Sequence, residues 1–106
     1  MKCYAIGELD LIDQSWVADY VENVTSMVER RGGRYLARTS NIDQLEGDGE
    51  PPHVVVLIEW PSKEIALEFY ESNEYRPYRD SRFARAKSRF SLIAGEDIAR
   101  VAQIDN

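Results

Sequence analysis

Five consecutive apolar residues, Val54-Val55-Val56-Leu57-Ile58, lie between the Pro51-Pro52 pair and Pro61. The run is far short of the roughly 18 residues a membrane helix needs. Its β-branched content and flanking prolines mark a strand. Successive strand side chains point to opposite faces, so an unbroken apolar centre asks for burial on both. A chain of 106 residues makes one domain with a modest core. Covering both faces of this strand is therefore the constraint that any fold for the chain must meet.

The flanking segments supply the rest of a sheet and two helical units. Residues 3 to 12 alternate in part and break at Asp13-Gln14-Ser15, giving a first strand. Asp13 is the expected N-cap of a helix whose inward stripe is Val17, Tyr20, Val21, Val24, Met27 and Val28, with Trp16 beside it. Arg30 and Arg31 suit its C-terminus, and Gly32-Gly33 ends it. Residues 34 to 40 form a second strand, and 41 to 52, rich in Asp, Asn, Gly and Pro, form a surface loop. Residues 53 to 60 form the apolar strand. After Pro61, Ser62 caps a short helix with Ile65, Ala66, Phe69 and Tyr70 inward. Residues 73 to 77 break that helix. Pro77 opens a further helical segment to about Arg85, and a last strand runs from about Lys87 to Ala94.

The order βαββαβ is the ferredoxin-like pattern: an α+β domain over residues 1–95, with a four-stranded antiparallel sheet and helices on one face. Residues 96–106 read as a partly docked C-terminal tail. Helices cover one sheet face only, yet the third strand is apolar at 55 and 57 as well as at 54, 56 and 58, and the fourth offers Ile93 opposite Phe90 and Leu92. The other face would be an exposed apolar patch in a monomer. A second copy placing its sheet on this one by two-fold symmetry removes that patch, so a homodimer through the sheet faces is expected. The alternative is a solitary subunit with its tail folded across the open face.

Nineteen acidic and thirteen basic residues give a net charge of −6, the wrong sign for a general binder of nucleic acid backbones. One Cys and one His exclude a disulfide framework, a zinc finger and a metal site of several such ligands. No signal-peptide core follows the N-terminus and no apolar run spans a bilayer, so the expectation is a cytoplasmic protein without membrane or nucleic-acid partners. The charge is uneven. Residues 76–89 hold Arg76, Arg79, Arg82, Arg85, Lys87 and Arg89 against Asp80, a local +5 that leaves −11 elsewhere. That segment either receives anions or pairs with acidic neighbours.

Several short motifs occur in order: Gly32-Gly33-Arg34-Tyr35-Leu36, Leu45-Glu46-Gly47, Glu59-Trp60-Pro61-Ser62, Ala66 to Tyr70, Ser72-Asn73-Glu74-Tyr75 and Arg82. Together they resemble the family called domain of unknown function 1330, over residues 3 to 95. The resemblance implies the dimeric α/β barrel superfamily, in which two ferredoxin-like subunits pack sheet on sheet. Relatives there include monooxygenases, haem-degrading proteins, dehalogenating enzymes and stress-related proteins, and fold alone does not choose among them.

Arg82 matches the family's arginine and can offer a bidentate fork to a carboxylate, a phosphate or Glu46. Glu46, in a flexible loop, suits either a general base or a structural pair with Arg82. These two are the catalytic candidates. Tyr75 and Trp60 are candidates for stacking on a ligand, with core packing as the plainer role. His53 is a ligand-binding candidate at a strand edge, where a solvated imidazole is the plainer reading; haem binding would require it to point into the barrel. Cys3 reads as a small core residue and Ser62 as a cap. No metal and no cofactor is expected. The sequence therefore supports a protein binding or converting a small acidic or aromatic molecule without a metal; the alternative is a non-catalytic interaction or stress-related module.

Overall fold

A computed structural model describes residues 1–100 of the chain. Seven elements follow one another: β1 (Cys3–Leu11), α1 (Val17–Arg30), β2 (Arg34–Thr39), β3 (Val54–Trp60), α2 (Lys63–Tyr70), α3 (Arg76–Arg85) and β4 (Ala86–Ala94). The four strands form one antiparallel sheet in the order β2-β3-β1-β4, the ferredoxin-like arrangement.

Register assigns the two sheet faces. Cys3, Ala5, Gly7 and Leu9 stand opposite Trp60, Ile58, Val56 and Val54 on one side and Ala94, Leu92, Phe90 and Ser88 on the other. This is the face covered by helices: Cys3, Ala5, Ile58 and Trp60 form one cluster with Val24, Met27 and Val28 of α1 and Ala66 and Phe69 of α2. Tyr4, Ile6, Glu8, Val55, Leu57 and Ile93 occupy the outer face. There Val55 and Leu57 stay half-buried and Ile93 is exposed. The strand that the sequence marks for burial on both faces is covered on one.

The α1 C-terminus follows the glycine signal. Gly32 takes φ +86°, its N–H donates to Glu29 O, and Gly33 N–H donates to Val28 O at 2.9 Å, the two bonds of a Schellman motif. Gly33 is needed for closeness: a Cβ there would come within 3.1 Å of Val28 O and Trp60 Cζ3. Arg30 and Arg31 then reach the Glu74 carboxylate at 2.8 and 2.7 Å, tying α1 to the α2–α3 connection.

One expectation is corrected. Asp13 does not cap α1, which starts at Val17 after Trp16. The Asp13 carboxylate instead accepts from Ser15 N and Oγ, closing a local turn that delays the helix by one turn. Trp16 Nε1 donates to Asp13 O, so the indole itself stitches this entry. Of the tail expected over 96–106, residues 96–100 are exposed, and 101–106 lie outside the described residues. Ser62 does cap α2, accepting from Ile65 N at 3.2 Å, and α3 opens with Pro77 in its first turn.

Gly7 and Phe90 face each other across β1 and β4, and the ring lies so close over the glycine that a Cβ on residue 7 would overlap it. Gly7→Ala must push Phe90 off the sheet, an overpacking that costs about 1–3 kcal/mol; denaturant unfolding measures it, and an unchanged midpoint would refute the role. The arginines beside Glu74 hold its carboxyl below the usual range. Its contribution is thus present above the unfolded pKa of about 4.3 and is lost as pH falls through the lower folded value. Glu74→Gln should be less stable than the native protein at neutral pH, with the two converging in acid. A gap that stays constant across an acid titration of stability would contradict this.

Candidate functional site

Between the helices and the sheet lies a cavity of about 460 Å³. Its floor is the inner face of β1, β3 and β4, including Ala5, Val54, Val56 and Phe90, and its roof is α1 and α2. Val54 and Val56 are only half-buried although they face the helices, because they border this space. Exposed Arg38 and Ser40 of the β2 edge line its solvent side. Arg38 sits 3.8 Å over the Tyr35 ring and donates to Thr25 Oγ1 at 2.7 Å, bracing β2 against α1.

A chain of aromatic rings forms much of the wall. Trp60 of β3 meets Phe69 of α2 at 5.3 Å between centroids, and Phe69 meets Tyr75 at 4.5 Å. Tyr75 meets Tyr20 of α1 at 6.2 Å, and Tyr20 meets Trp16 edge-on at 5.2 Å. The Tyr20 and Tyr75 hydroxyls are 2.5 Å apart and share one hydrogen bond. Burial, then the Tyr75 oxygen, push the Tyr20 hydroxyl far above its ordinary pKa, with Arg82 working the other way. Burial likewise raises Tyr35, against the pull of Arg38. Both are therefore neutral hydrogen-bonding groups near neutral pH.

Arg82 stands directly behind this wall. It is 1% exposed and one Nη donates to Ser88 Oγ of β4. Its guanidinium lies 4.5 Å from the centroid of Phe90 and 5.0 Å from that of Phe83. No carboxylate among the described residues lies within ion-pair distance of it; Nε and the second Nη make no well-aligned hydrogen bond, and the Tyr75 and Tyr70 hydroxyls are close enough only to favour its charge. Burial opposes its charge, but the oxygens of Tyr75 and Tyr20 outweigh this and hold it protonated. A buried cation without a counter-ion is rare because its desolvation is uncompensated.

The sequence-derived residues thus separate. Tyr75 and Trp60 line the cavity, and Arg82 backs it. Glu46 is exposed in the β2–β3 loop, beside Leu45 at 91% exposure, and makes no ion pair with Arg82. His53 is exposed, and its Nδ1 accepts from Leu11 N at 2.9 Å, which fixes the ring against the end of β1 and away from the cavity wall. Arg79, Arg85 and the remaining basic residues of 76–89 do not enter the cavity either: Arg79 stacks on Tyr70 and donates to its carbonyl, and Arg85 reaches Ser15. Among the described residues no cluster of three His, Cys, Asp or Glu side chains forms a metal site. Sequence reasoning did not single out Tyr20 or Phe90 for the site. Tyr20 was legible only as part of the α1 stripe; the signal for Phe90 was the glycine at position 7, whose cross-strand partner only pairing register reveals.

Comparison with known proteins agrees with this architecture. A protein of unknown function from Rhodopseudomonas palustris, RPA0582, superposes with a TM-score of 0.77 at 19% identity, covering 91% of this chain and 83% of its own. SnoaB from Streptomyces nogalater, a cofactor-independent oxygenase, gives 0.63 at 10% identity over 91% and 94%. A putative antibiotic biosynthesis monooxygenase from Nitrosomonas europaea gives 0.50 at 14% over 88% and 89%. At these identities the likeness is one of fold. No curated protein matches the sequence. Residues 2–96 match the family model, and the chain belongs to the family Domain of unknown function (DUF1330), with a ferredoxin-like fold.

Proposed function

We propose that the protein binds a small, largely aromatic molecule within each subunit of a homodimer. The cavity carries this reading. Its volume falls within the roughly 300–1,000 Å³ of small-molecule sites, and eight of the chain's eleven aromatic residues line it. Rings in a wall offer flat apolar surface and edge-to-face contacts worth about 0.5–1.5 kcal/mol each beyond area burial. A space of this size bordered by half-buried valines is poorly explained as core packing, because protein interiors fill voids larger than a water molecule. Metal-free turnover on such a ligand is compatible with the fold, as SnoaB is a cofactor-independent oxygenase, but 10% identity carries no activity across.

The second copy is supported by the outer sheet face. Ile6, Val55, Leu57 and Ile93 share it, and Glu8 stands opposite both Val55 and Arg89 in register. An antiparallel copy would set apolar centre on apolar centre.

Both Trp16 and Trp60 line the cavity and are the chain's only tryptophans, so intrinsic fluorescence reports directly on occupancy. Titration with naphthols and substituted phenols should quench it saturably. Val56→Phe, filling the space from β3, should weaken binding at least about tenfold, the loss of some 1.4 kcal/mol, without lowering the melting temperature. No saturable quenching by any compound of such a panel would overturn the reading. For the dimer, light scattering should give twice the chain mass and Leu57→Lys should give the chain mass with an unchanged circular dichroism spectrum; a native protein that scatters as a monomer at micromolar concentration would refute it.

A further inference from the structure

The polar end of the cavity is not neutral in what it offers. The Tyr20 and Tyr75 hydroxyls share a single hydrogen bond, so one hydroxyl proton of the pair remains to be donated elsewhere. Behind them Arg82 has two buried nitrogens without a well-aligned acceptor. Among the described residues no acidic side chain lines the cavity, although the chain as a whole carries a surplus of acids. The charged and titratable groups facing this end are Arg82 from α3, Tyr20 from α1, Tyr70 at the end of α2, Tyr75 before α3, and Tyr35 and Arg38 from β2, with Ser88 from β4 holding the guanidinium and Glu29 of α1 acting on Tyr35 from outside the lining. The groups that line or directly back the cavity are hydroxyls and guanidiniums, and the Glu29 carboxylate is not among its lining residues.

We propose that this end takes the ligand's acidic oxygen in its ionised form: the ligand is an aromatic compound bound as its phenolate, its oxyanion accepting from the Tyr20–Tyr75 pair with the Arg82 charge behind it. The inference rests on the binding reading above and names its ligand class. An acceptor-only oxygen is the one partner that satisfies the spare hydroxyl proton and at the same time gives the buried guanidinium the negative charge it lacks. A neutral phenol would bring a further proton into a site already oversupplied with donors. Low local dielectric strengthens the attraction between the oxyanion and the guanidinium. Arg82 acts here as a positioning residue, through the electrostatics of the tyrosines rather than by forming the cavity wall.

The test uses para-nitrophenol, whose ionisation is visible in its absorption, and para-nitroanisole, which has nearly the same shape and no acidic proton. Both should quench Trp16 and Trp60. Bound nitrophenol should titrate at least about one pH unit below the free compound, a tenfold preference for the anion. In Arg82→Met it should titrate above the free compound, because an apolar cavity without the cation favours the neutral form. Its affinity at a pH where the free probe is ionised should fall at least about tenfold, and Arg82→Lys should recover part of both effects. Nitroanisole affinity should change less than about threefold in Arg82→Met. The fold tolerates this change: Met fills a similar volume and removes an unpaired buried charge, so the melting temperature should not drop. Tyr75→Phe keeps the charge and removes one hydroxyl, and should raise the bound probe's pKa by a smaller amount. If neither probe binds, the small-molecule reading itself fails. If both bind but nitrophenol titrates at or above its free value, or responds equally in Arg82→Met and native protein, the ligand site stands and the anion proposal is overturned.

Discussion

The ring chain from Trp60 through Phe69, Tyr75 and Tyr20 to Trp16 is the interaction on which the rest of the structure depends. It links β3 to α2, α2 to the α2–α3 connection, and that connection to α1. Large rigid rings hold the two layers together at contacts of about 4.5 to 6.2 Å between centroids while leaving the space between them unfilled. Smaller aliphatic side chains at the same positions would let the layers collapse, since interiors close down on voids wherever side chains can adjust. The same residues therefore serve cohesion and cavity at once.

Around that chain, the remaining contacts fix distances. The Schellman end at Gly32-Gly33 and the Arg30–Glu74–Arg31 cluster anchor one end of α1, and the Trp16 indole bonded to Asp13 O anchors its start. Arg38 braces the middle from β2. Gly7 lets Phe90 lie flat on the sheet, which keeps the floor of the cavity low. Arg82 is the one group whose presence the packing does not explain. Cation–π contacts with Phe83 and Phe90 and a bond to Ser88 offset part of its burial, but two of its nitrogens are left without a well-aligned acceptor. A stability optimum would replace it, and natural proteins retain such costs mainly at functional sites.

Much of the fold was legible because its signals are local or periodic. The βαββαβ order followed from alternating and helical spacing, the α1 stop from Gly32-Gly33, the α2 start from Ser62, and the 41–52 loop from its composition. The α1 start was misjudged because Asp13 had two competing uses, and its bond to Ser15 closed a turn before it could cap a helix. The site was legible only in part. Tyr75, Trp60 and Arg82 stood out by residue type and family resemblance; the first two line the cavity and Arg82 lies behind its wall. Glu46 shared that resemblance, yet it lies in a loop on the β2 side of the sheet, whereas Arg82 sits over β4. His53 drew notice as the only histidine, but its Nδ1 is engaged by a backbone N–H of β1.

What the sequence determined by itself was the set of elements and the demand of β3 for cover on both faces, because periodicity and glycine or proline chemistry act over a few residues. The tertiary structure decided what answers that demand on the helical side. Val54 and Val56 face a cavity rather than a filled core, since the aromatic chain props the layers apart. It also decided the electrostatics. In a chain of net charge −6 the buried polar end is cationic, because chain folding brings Tyr20, Tyr75 and Arg82 together from three separate segments and leaves the carboxylates of the described residues out of the cavity lining. Charge counts along a sequence contain no distances, and the energy of a buried charge depends on little else.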